Sequence, residues 1–266
     1  MPTEPTGGRI SAVINTYNAE RFLRRCLESL KGFDEILVCD MESTDSTVAI
    51  AGEFGCRVVT FPKGDNSICE PARDFAIHSA ACEWVLVVDA DEIVTPELRS
   101  YLYGQIAAPD CPDGLCIPRK NHMFGAYLVF DYPDYQLRFF RKSAAYWPPF
   151  IHSRPKIDGV VRHIPKGRKE LALAHYPDVT ETEKITKLNT YSDSEALVKK
   201  KGRKVSFAAL VFSPFNRFFR AYVLRGGFRS GRLGFVIAAN DAIYKFLILA
   251  KLFEAECRKR HGAERK

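Results

Sequence analysis

No two of the eight cysteines stand in a Cys-x-x-Cys pair, so the usual ligand spacing of a structural zinc site is missing. Several of them sit inside apolar patterns, where a reduced thiol packs as a small hydrophobe. Met1 to Gly8 is polar and rich in Pro and Gly, without the apolar stretch of a secretory signal. No run reaches the roughly 18 uncharged residues that a bilayer span requires. Internal repeats and low-complexity tracts are also absent. Together these absences lead to the expectation of a globular protein of a reducing, cytoplasmic compartment.

At 266 residues the chain is long enough for one large domain, or one domain with an extension. The net charge of +7 is unevenly spread. From Lys199 onward, nine Arg and eight Lys stand against Asp241, Glu254, Glu256 and Glu264. Aromatics are interleaved with these cations, which suggests an anionic surface as partner, phospholipid or nucleic acid. The plainer alternative is a solvated pair of basic helices.

The first half alternates strand and helix. Ile10–Ile14 is a β-branched run, and Ala19–Leu30 carries Phe22, Leu23, Cys26, Leu27 and Leu30 at helical spacing. Glu35–Cys39 forms a second strand that ends at Asp40. Ser43 to Thr47 supplies cap chemistry for a helix over about Asp45–Phe54, with Gly55 after its end. Arg57–Phe61 is a third strand and Pro71–Cys82 a further helix. Such an order implies a parallel sheet with right-handed crossovers. Beyond Pro96 the signals weaken: Leu115–Ile117 and Tyr135–Phe140 look like strands, with Asn121 to Gly125 as an aromatic loop between them. From Thr180 the chain turns helical, over Glu181–Lys200, Val205–Phe212 stopping at Ser213-Pro214, and Leu233–Phe253. The division implied is a domain over 1–179 and a helical, basic and aromatic extension over 180–266. Arginines among large aromatics from Phe215 to Arg225 fit a helix lying in a membrane interface, or a hairpin with its arginines snorkelling outward.

Trp84 to Val88 is a continuous apolar run, as in a strand buried on both faces. It breaks off at Asp89 and Asp91, with Glu92 alongside. Open α/β sheets bind ligands where such strands emerge, and two carboxylates there can hold a hard divalent cation against a diphosphate.

The segments Ser11-Ala12-Val13-Ile14-Asn15-Thr16-Tyr17-Asn18, Cys26-Leu27-Glu28-Ser29-Leu30, Asp34 to Asp40, Ser43-Thr44-Asp45 and Asp89-Ala90-Asp91-Glu92 follow one another in order. They resemble the family 2 glycosyltransferases of GT-A fold. Tyr135 to Arg141, together with the Arg-Gly-Gly-Phe-x-Ser-Gly segment from Arg225, resembles the lipopolysaccharide-core β-glucosyltransferase subgroup. The resemblance implies an α/β fold, a mostly parallel sheet with flanking helices, plus the C-terminal helical extension. It implies inverting transfer of a hexose from a nucleotide-diphosphate sugar, a UDP-sugar above all, to a saccharide acceptor of lipopolysaccharide or another envelope glycan. Thr16, Asn18, Asp40 and Ser43 would face the nucleotide, and Arg73 the diphosphate. Asp91 would bind Mn²⁺ or Mg²⁺, with Asp89 beside it and His175 or His152 completing the shell. Expected partners are the nucleotide sugar, a lipid-linked acceptor and an anionic membrane, not nucleic acid. The expected location is peripheral, at the cytoplasmic face of the inner membrane.

The chain departs from the family pattern twice. Met41 and Glu42 follow Asp40 where relatives carry Asp or Ser and then Gly. Ser153 follows His152 where the subgroup often has Glu. If that Glu is the usual base, its replacements here are Asp134, Asp131 or His152, with Asp134 first. A polyprenyl phosphate acceptor, already ionised, would need no base, and a non-catalytic nucleotide-binding scaffold is a further reading. Asp-x-Asp also opens haloacid-dehalogenase phosphatase sites, but there it follows the first strand and here the fourth.

Overall fold

The structure, a computed structural model, describes residues 8–64, 69–149, 153–177, 180–199 and 204–263. The chain forms two compact units: Met1–Asn121 with Tyr132–Pro177, and His122–Asp131 with Asp178–Lys266.

The first unit begins with β1 (Ile10–Thr16), α1 (Glu20–Leu30), β2 (Glu35–Asp40), α2 (Thr47–Glu53), β3 (Arg57–Thr60), α3 (Glu70–Ser79) and β4 (Trp84–Asp89). It continues with β5 (Glu92–Ile93), α4 (Pro96–Ala107) and β6 (Gly114–Met123), whose end runs into the second unit and pairs there with β7 (Ala126–Tyr127). Back in the first unit are β8 (Asp134–Arg141), β9 (Ala145–Tyr146), β10 (Lys156–Ile157), β11 (Val161–His163) and β12 (Leu173–His175). The main sheet runs β3-β2-β1-β4-β8-β6-β12-β5. Its first four strands are parallel, as the alternation of strand and helix implied. β8 then enters antiparallel between β4 and β6, so the sheet is mixed.

Alternation within the buried strands feeds two cores. Ile10, Ala12, Ile14, Trp84, Leu86 and Val88 point into one, with Leu23 and Leu27 of α1 and Leu98 of α4. Val13, Val85 and Val87 point into the other, with Ala76 and Ile77 of α3 and Trp147. A strand covered on both faces reads as a continuous apolar run, which is why Trp84–Val88 stood out. All eight cysteines are free thiols. Burial, reinforced by the neighbouring Asp40, pushes Cys39 up to about 12.

Three expectations of element shape are corrected. The helix expected to reach Cys82 ends at Ser79, because Ala80 adopts an extended ψ of 142°. Asn121 to Met123 are not loop but the end of β6, which turns through Phe124 (φ 51°) and Gly125 (φ 76°) into β7. Two residues of positive φ make the tight turn that matches the strand twist. Third, the apolar helix does not stop at Ser213-Pro214.

In the second unit, α5 (Glu181–Lys199) is followed by α6 (Phe207–Phe219), which runs through Pro214. Ser206 caps it, its hydroxyl accepting from the Ala209 N–H at 3.1 Å. Proline removes one interior hydrogen bond but leaves φ helical. A π-helical turn, Arg220–Leu224, follows, and then α7 (Gly231–Ala263). Ala196, Ile248 and Leu252 form the unit's small core, with Val205 and Tyr244 against it. Although no uncharged run is long enough, the helical stretch Gly227–Lys259 has a window of mean hydropathy 1.6, long and apolar enough to cross a membrane by length and composition.

Candidate active site

The site of the first unit lies at the carboxyl ends of β1, β2 and β4. At the β2 end, Asp40 is 2 % exposed. Its carboxylate accepts from the Thr16 hydroxyl at 2.9 Å, and from the Ser43 hydroxyl and N–H at 2.6 and 2.8 Å. Ser43 in turn accepts from the Asn18 N–H at 2.8 Å, and the Asn18 side chain accepts from the Thr44 N–H at 2.8 Å. Thr16, Asn18, Asp40 and Ser43 are therefore brought together in one cluster. Asn18 takes a φ of 48°, a left-handed conformation asparagine tolerates. Asp45, just before α2, accepts from the Thr47 N–H and ties to α1 through the Glu20 N–H. Met41 is buried in the core beside Val13. Glu42 has a φ of 61°, in the region where glycine is least strained.

Asp89 ends β4 opposite Asn15 of β1. Both amide atoms of Asn15 are buried with no hydrogen-bond partner among the described residues. The Asp89 carboxylate is gripped by Arg73 of α3, at 2.7 Å, and by Arg138 of β8. Burial pushes its pKa up, but the charges of Arg138 and Arg73 outweigh burial and hold it well below the usual carboxylate range. Arg73 stacks over the Trp147 ring, 4.7 Å from its centroid. The Trp147 indole N–H donates to the Ser153 hydroxyl at 3.0 Å, so the serine in the Glu position braces this aromatic. One guanidinium nitrogen of Arg73 is buried with no hydrogen-bond partner among the described residues.

Asp91 lies just past β4. His175, at the end of β12, brings Nε2 to 3.3 Å from its Oδ2. His175 pairs in register with Asn121 of β6 and with Glu92 of β5. Asn121 Oδ1 lies 2.8 Å from His175 Nδ1, while its Nδ2 donates to Asp134 at 3.0 Å. Asp134 also accepts from Gln136 at 2.9 Å and from Arg119, whose Nη2 lies at 2.7 Å. Burial raises the Asp134 pKa, but Arg119 and the donors around it leave it below its ordinary value. Arg119 reaches on to Glu92 at 3.1 Å, and Glu92, fully buried, accepts from the Asp89 N–H at 3.0 Å. The chain of contacts from Asp89 through Glu92, Arg119, Asp134 and Asn121 to His175 and Asp91 is unbroken.

Among the described residues no group of three or more His, Cys, Asp or Glu side chains is clustered as for a metal. Asp91 and His175 nonetheless fit a two-residue share of one. A carboxylate can only accept, so Asn121 must turn its amide nitrogen to Asp134 and its oxygen to His175. Nδ1 then carries a proton, and in the neutral tautomer the Nε2 lone pair faces a carboxylate oxygen. In a neutral imidazole the two acceptors, 3.3 Å apart, can share a cation, since two ligands on one ion stand about 3 Å apart, whereas a protonated imidazole pairs with Asp91 directly. Asp89 offers no such geometry, since both its oxygens meet guanidinium groups.

Of the other residues expected here, His152 lies outside the described residues. Asp131 belongs to the second unit and pairs there with Arg225 at 3.3 Å. Glu92, Arg119, Asn121 and Arg138 were not foreseen as site residues. Charged residues set within apolar strands, such as Arg138 between Leu137 and Phe139, were the available signal, because a buried charge must be paired.

A family model described as glycosyl transferase family 2 matches residues 11–141. The lipopolysaccharide core biosynthesis glycosyltransferase LpsC of Rhizobium meliloti (strain 1021) is 29% identical over 256 residues, 92% of this chain and 92% of that protein. An uncharacterized glycosyltransferase of Rickettsia typhi (strain ATCC VR-144 / Wilmington) is 30% identical over 275 residues, 95% of this chain and 89% of the relative. Among solved structures, S. aureus TarS 1–349 aligns with a TM-score of 0.47 at 16% identity, covering 94% of this chain and 92% of that one. The matched segment spans β1 to β8, which carry the candidate site's residues except those beyond Arg141, His175 of β12 among them. With its mixed sheet, flanking helices and C-terminal helix, the chain belongs to glycosyltransferase family 2 and has the GT-A fold.

Proposed function

We propose that this glycosyltransferase moves a hexose from a UDP-sugar to a saccharide acceptor of the lipopolysaccharide core, with inversion. The facing of Asp91 and His175 carries the reading, since it is a ready cation site at the end of the strand where a sugar nucleotide's diphosphate would sit. When bound, Mn²⁺ or Mg²⁺ supplies positive charge that offsets the charge developing on the leaving diphosphate. Arg73, one of whose buried nitrogens has no hydrogen-bond partner among the described residues, is assigned to a diphosphate oxygen. Asp89 holds Arg73 and Arg138 in place. Thr16, Asp40 and Ser43 shape the nucleotide end, where Asn15 and Asn18 present amides. The relative named for lipopolysaccharide core synthesis supports the acceptor class.

The division into a catalytic domain over 1–179 and an extension over 180–266 is kept as part of this proposal. The extension is assigned to peripheral membrane contact at the cytoplasmic face. Phe207, Phe212 and Phe215 of α6 are 81%, 67% and 67% exposed, an apolar display that soluble monomers rarely carry on one element.

The test is thermal stabilisation by UDP with and without Mn²⁺. A Mn²⁺-dependent rise in melting temperature, lost in Asp91→Ala, is expected; an equal, metal-independent rise in both would overturn the cation assignment. For the extension, a Phe207, Phe212 and Phe215 to Ser triple variant is expected to stop sedimenting with vesicles, and unchanged sedimentation would overturn membrane contact.

A second reading is favoured by the state of Asp134. Its oxygens are taken up by Arg119, Asn121 and Gln136, and its pKa lies low, so it is a weak proton acceptor. An acceptor already ionised, such as a polyprenyl phosphate, would need none.

A further inference from the structure

The second unit holds a polar cavity that sugar transfer as described above leaves unused. Its volume is about 360 Å³, and Asn216, Arg217, Arg220, Arg225, Asp241 and Lys245 stand around it. Ser213, Asn216, Arg217 and Arg220 recur at i, i+3, i+4 and i+7, so one face of the α6 stretch is given to this cavity. Phe212, Phe215 and Phe219 occupy the neighbouring exposed stripe. Asp241 and Lys245 are one turn apart on α7. Four cations and one carboxylate, Asp241, line this cavity; Arg217 engages Asp241 at 2.8 Å, and Arg225 also reaches Asp131 at 3.3 Å.

A second cavity of about 230 Å³ shares Arg217, Ala221, Arg225 and Asp241 with the first. It is walled by Asn240, a residue 4% exposed whose amide nitrogen has no hydrogen-bond partner among the described residues. An unsatisfied buried donor is costly, and crowded guanidinium groups repel one another. An anion in the first cavity eases that repulsion, and Asn240 offers a donor on the wall of the adjoining one.

The backbone is specialised where these cations meet. The Arg225 N–H donates to the Arg220 carbonyl at 2.8 Å, the bond of a π turn, a feature frequent at functional sites. Gly226 then takes a φ of 79°. A Cβ on Gly227 would stand 2.8 Å from the Ala221 carbonyl, and one on Gly234 would stand 1.8 Å from the Gly227 carbonyl. The Arg-Gly-Gly-Phe-x-Ser-Gly segment is thus a close-packed corner that fixes Arg225 next to the α6 and α7 cations.

We propose that this cavity binds a phosphate mono- or diester, with Arg220, Arg225 and Lys245 as its donors. Guanidinium groups pair with phosphate through two parallel hydrogen bonds, and the ammonium adds a point charge. The phosphate can come from an anionic phospholipid headgroup or from a phosphorylated saccharide.

The experiment titrates the full chain with inorganic phosphate by calorimetry, at constant ionic strength, without donor or acceptor, so its outcome is independent of the proposed reaction. Arg220→Gln and Lys245→Gln lie on different segments, so misfolding of one leaves the other informative. Each is expected to weaken phosphate binding about ten-fold, the effect of one lost charge-assisted hydrogen bond. Arg258→Gln, at an exposed pair with Glu254, should bind as wild type. Absence of phosphate binding, or equal binding in all three variants, overturns the proposal. Sedimentation with phosphatidylcholine vesicles, with and without phosphatidylglycerol, then identifies the source. Capture that needs phosphatidylglycerol and falls in both cavity variants assigns a headgroup. Capture that is the same in variants and wild type, with phosphate binding lost, assigns a phosphorylated saccharide.

Discussion

His175 Nε2 faces Asp91 Oδ2 at 3.3 Å, and the direction of that nitrogen is set by Asn121. The relationship makes Asn121 the pivot of the proposed cation site, although it would not touch the ion. Its amide is oriented by Asp134, which Arg119 holds, and Arg119 is anchored on the fully buried Glu92.

Asn121→Leu should therefore lower Mn²⁺ affinity by about 10- to 100-fold, as outer-shell changes do. Leucine keeps the volume but frees the imidazole to turn and take the other tautomer. Titration of Mn²⁺ by electron paramagnetic resonance measures this without any turnover. Affinity equal to wild type would mean that strand pairing alone orients His175.

Arg138→Met should destabilise the first unit by about 3 kcal/mol, the lower end of the cost of removing one partner from a buried ion pair. Arg138 is 5% exposed and serves both Asp89 and Glu92. Arg73 and Arg119 remain to those carboxylates, which places the effect at the lower end. Arg162→Met, at a pair exposed on both sides, should leave the unfolding midpoint close to wild type. Urea unfolding midpoints at fixed slope compare the two.

The parallel strands and their helices were legible because burial on both faces writes continuous apolar runs, and helical spacing marks what covers them. Asp40, Asp89 and Asp91 were legible as charges at the ends of such runs. Thr16, Ser43, Arg73 and His175 were named beside them, but Arg138 and Arg119 were not. Arg138 and Arg119 reach the site across antiparallel pairings of β8 with β4 and β6, 49 residues from Asp89 and 27 from Glu92. A local pattern carries no register over such distances. The run of α6 through Pro214 was missed for a different reason: proline signals a helix stop, yet here packing of α6 with α7 outweighs one lost bond.

Glu35 gives a pH-dependent prediction away from the site. Its carboxylate, at the start of β2, accepts from the Ser11 hydroxyl of β1, from the Ala81 N–H at 2.7 Å and from Arg57 of β3 at 2.8 Å. Burial pushes its pKa up, but these donors outweigh burial and bring it below its ordinary value. An unfolded glutamate has a pKa of about 4.3, so the unfolded chain binds the proton more readily than the folded one, and stability must rise with pH across that interval. The contribution is fully present above the unfolded pKa and is lost as pH falls through the lower, folded value. Wild type should exceed Glu35→Gln in stability by about 2 kcal/mol at pH 7, the scale of hydrogen bonds to a charged group. That gap should close as pH drops below about 4. Denaturant unfolding of both proteins from pH 7 down to pH 3 would measure it, and a gap independent of pH would show that the shape of Glu35, not its charge, joins the three strands.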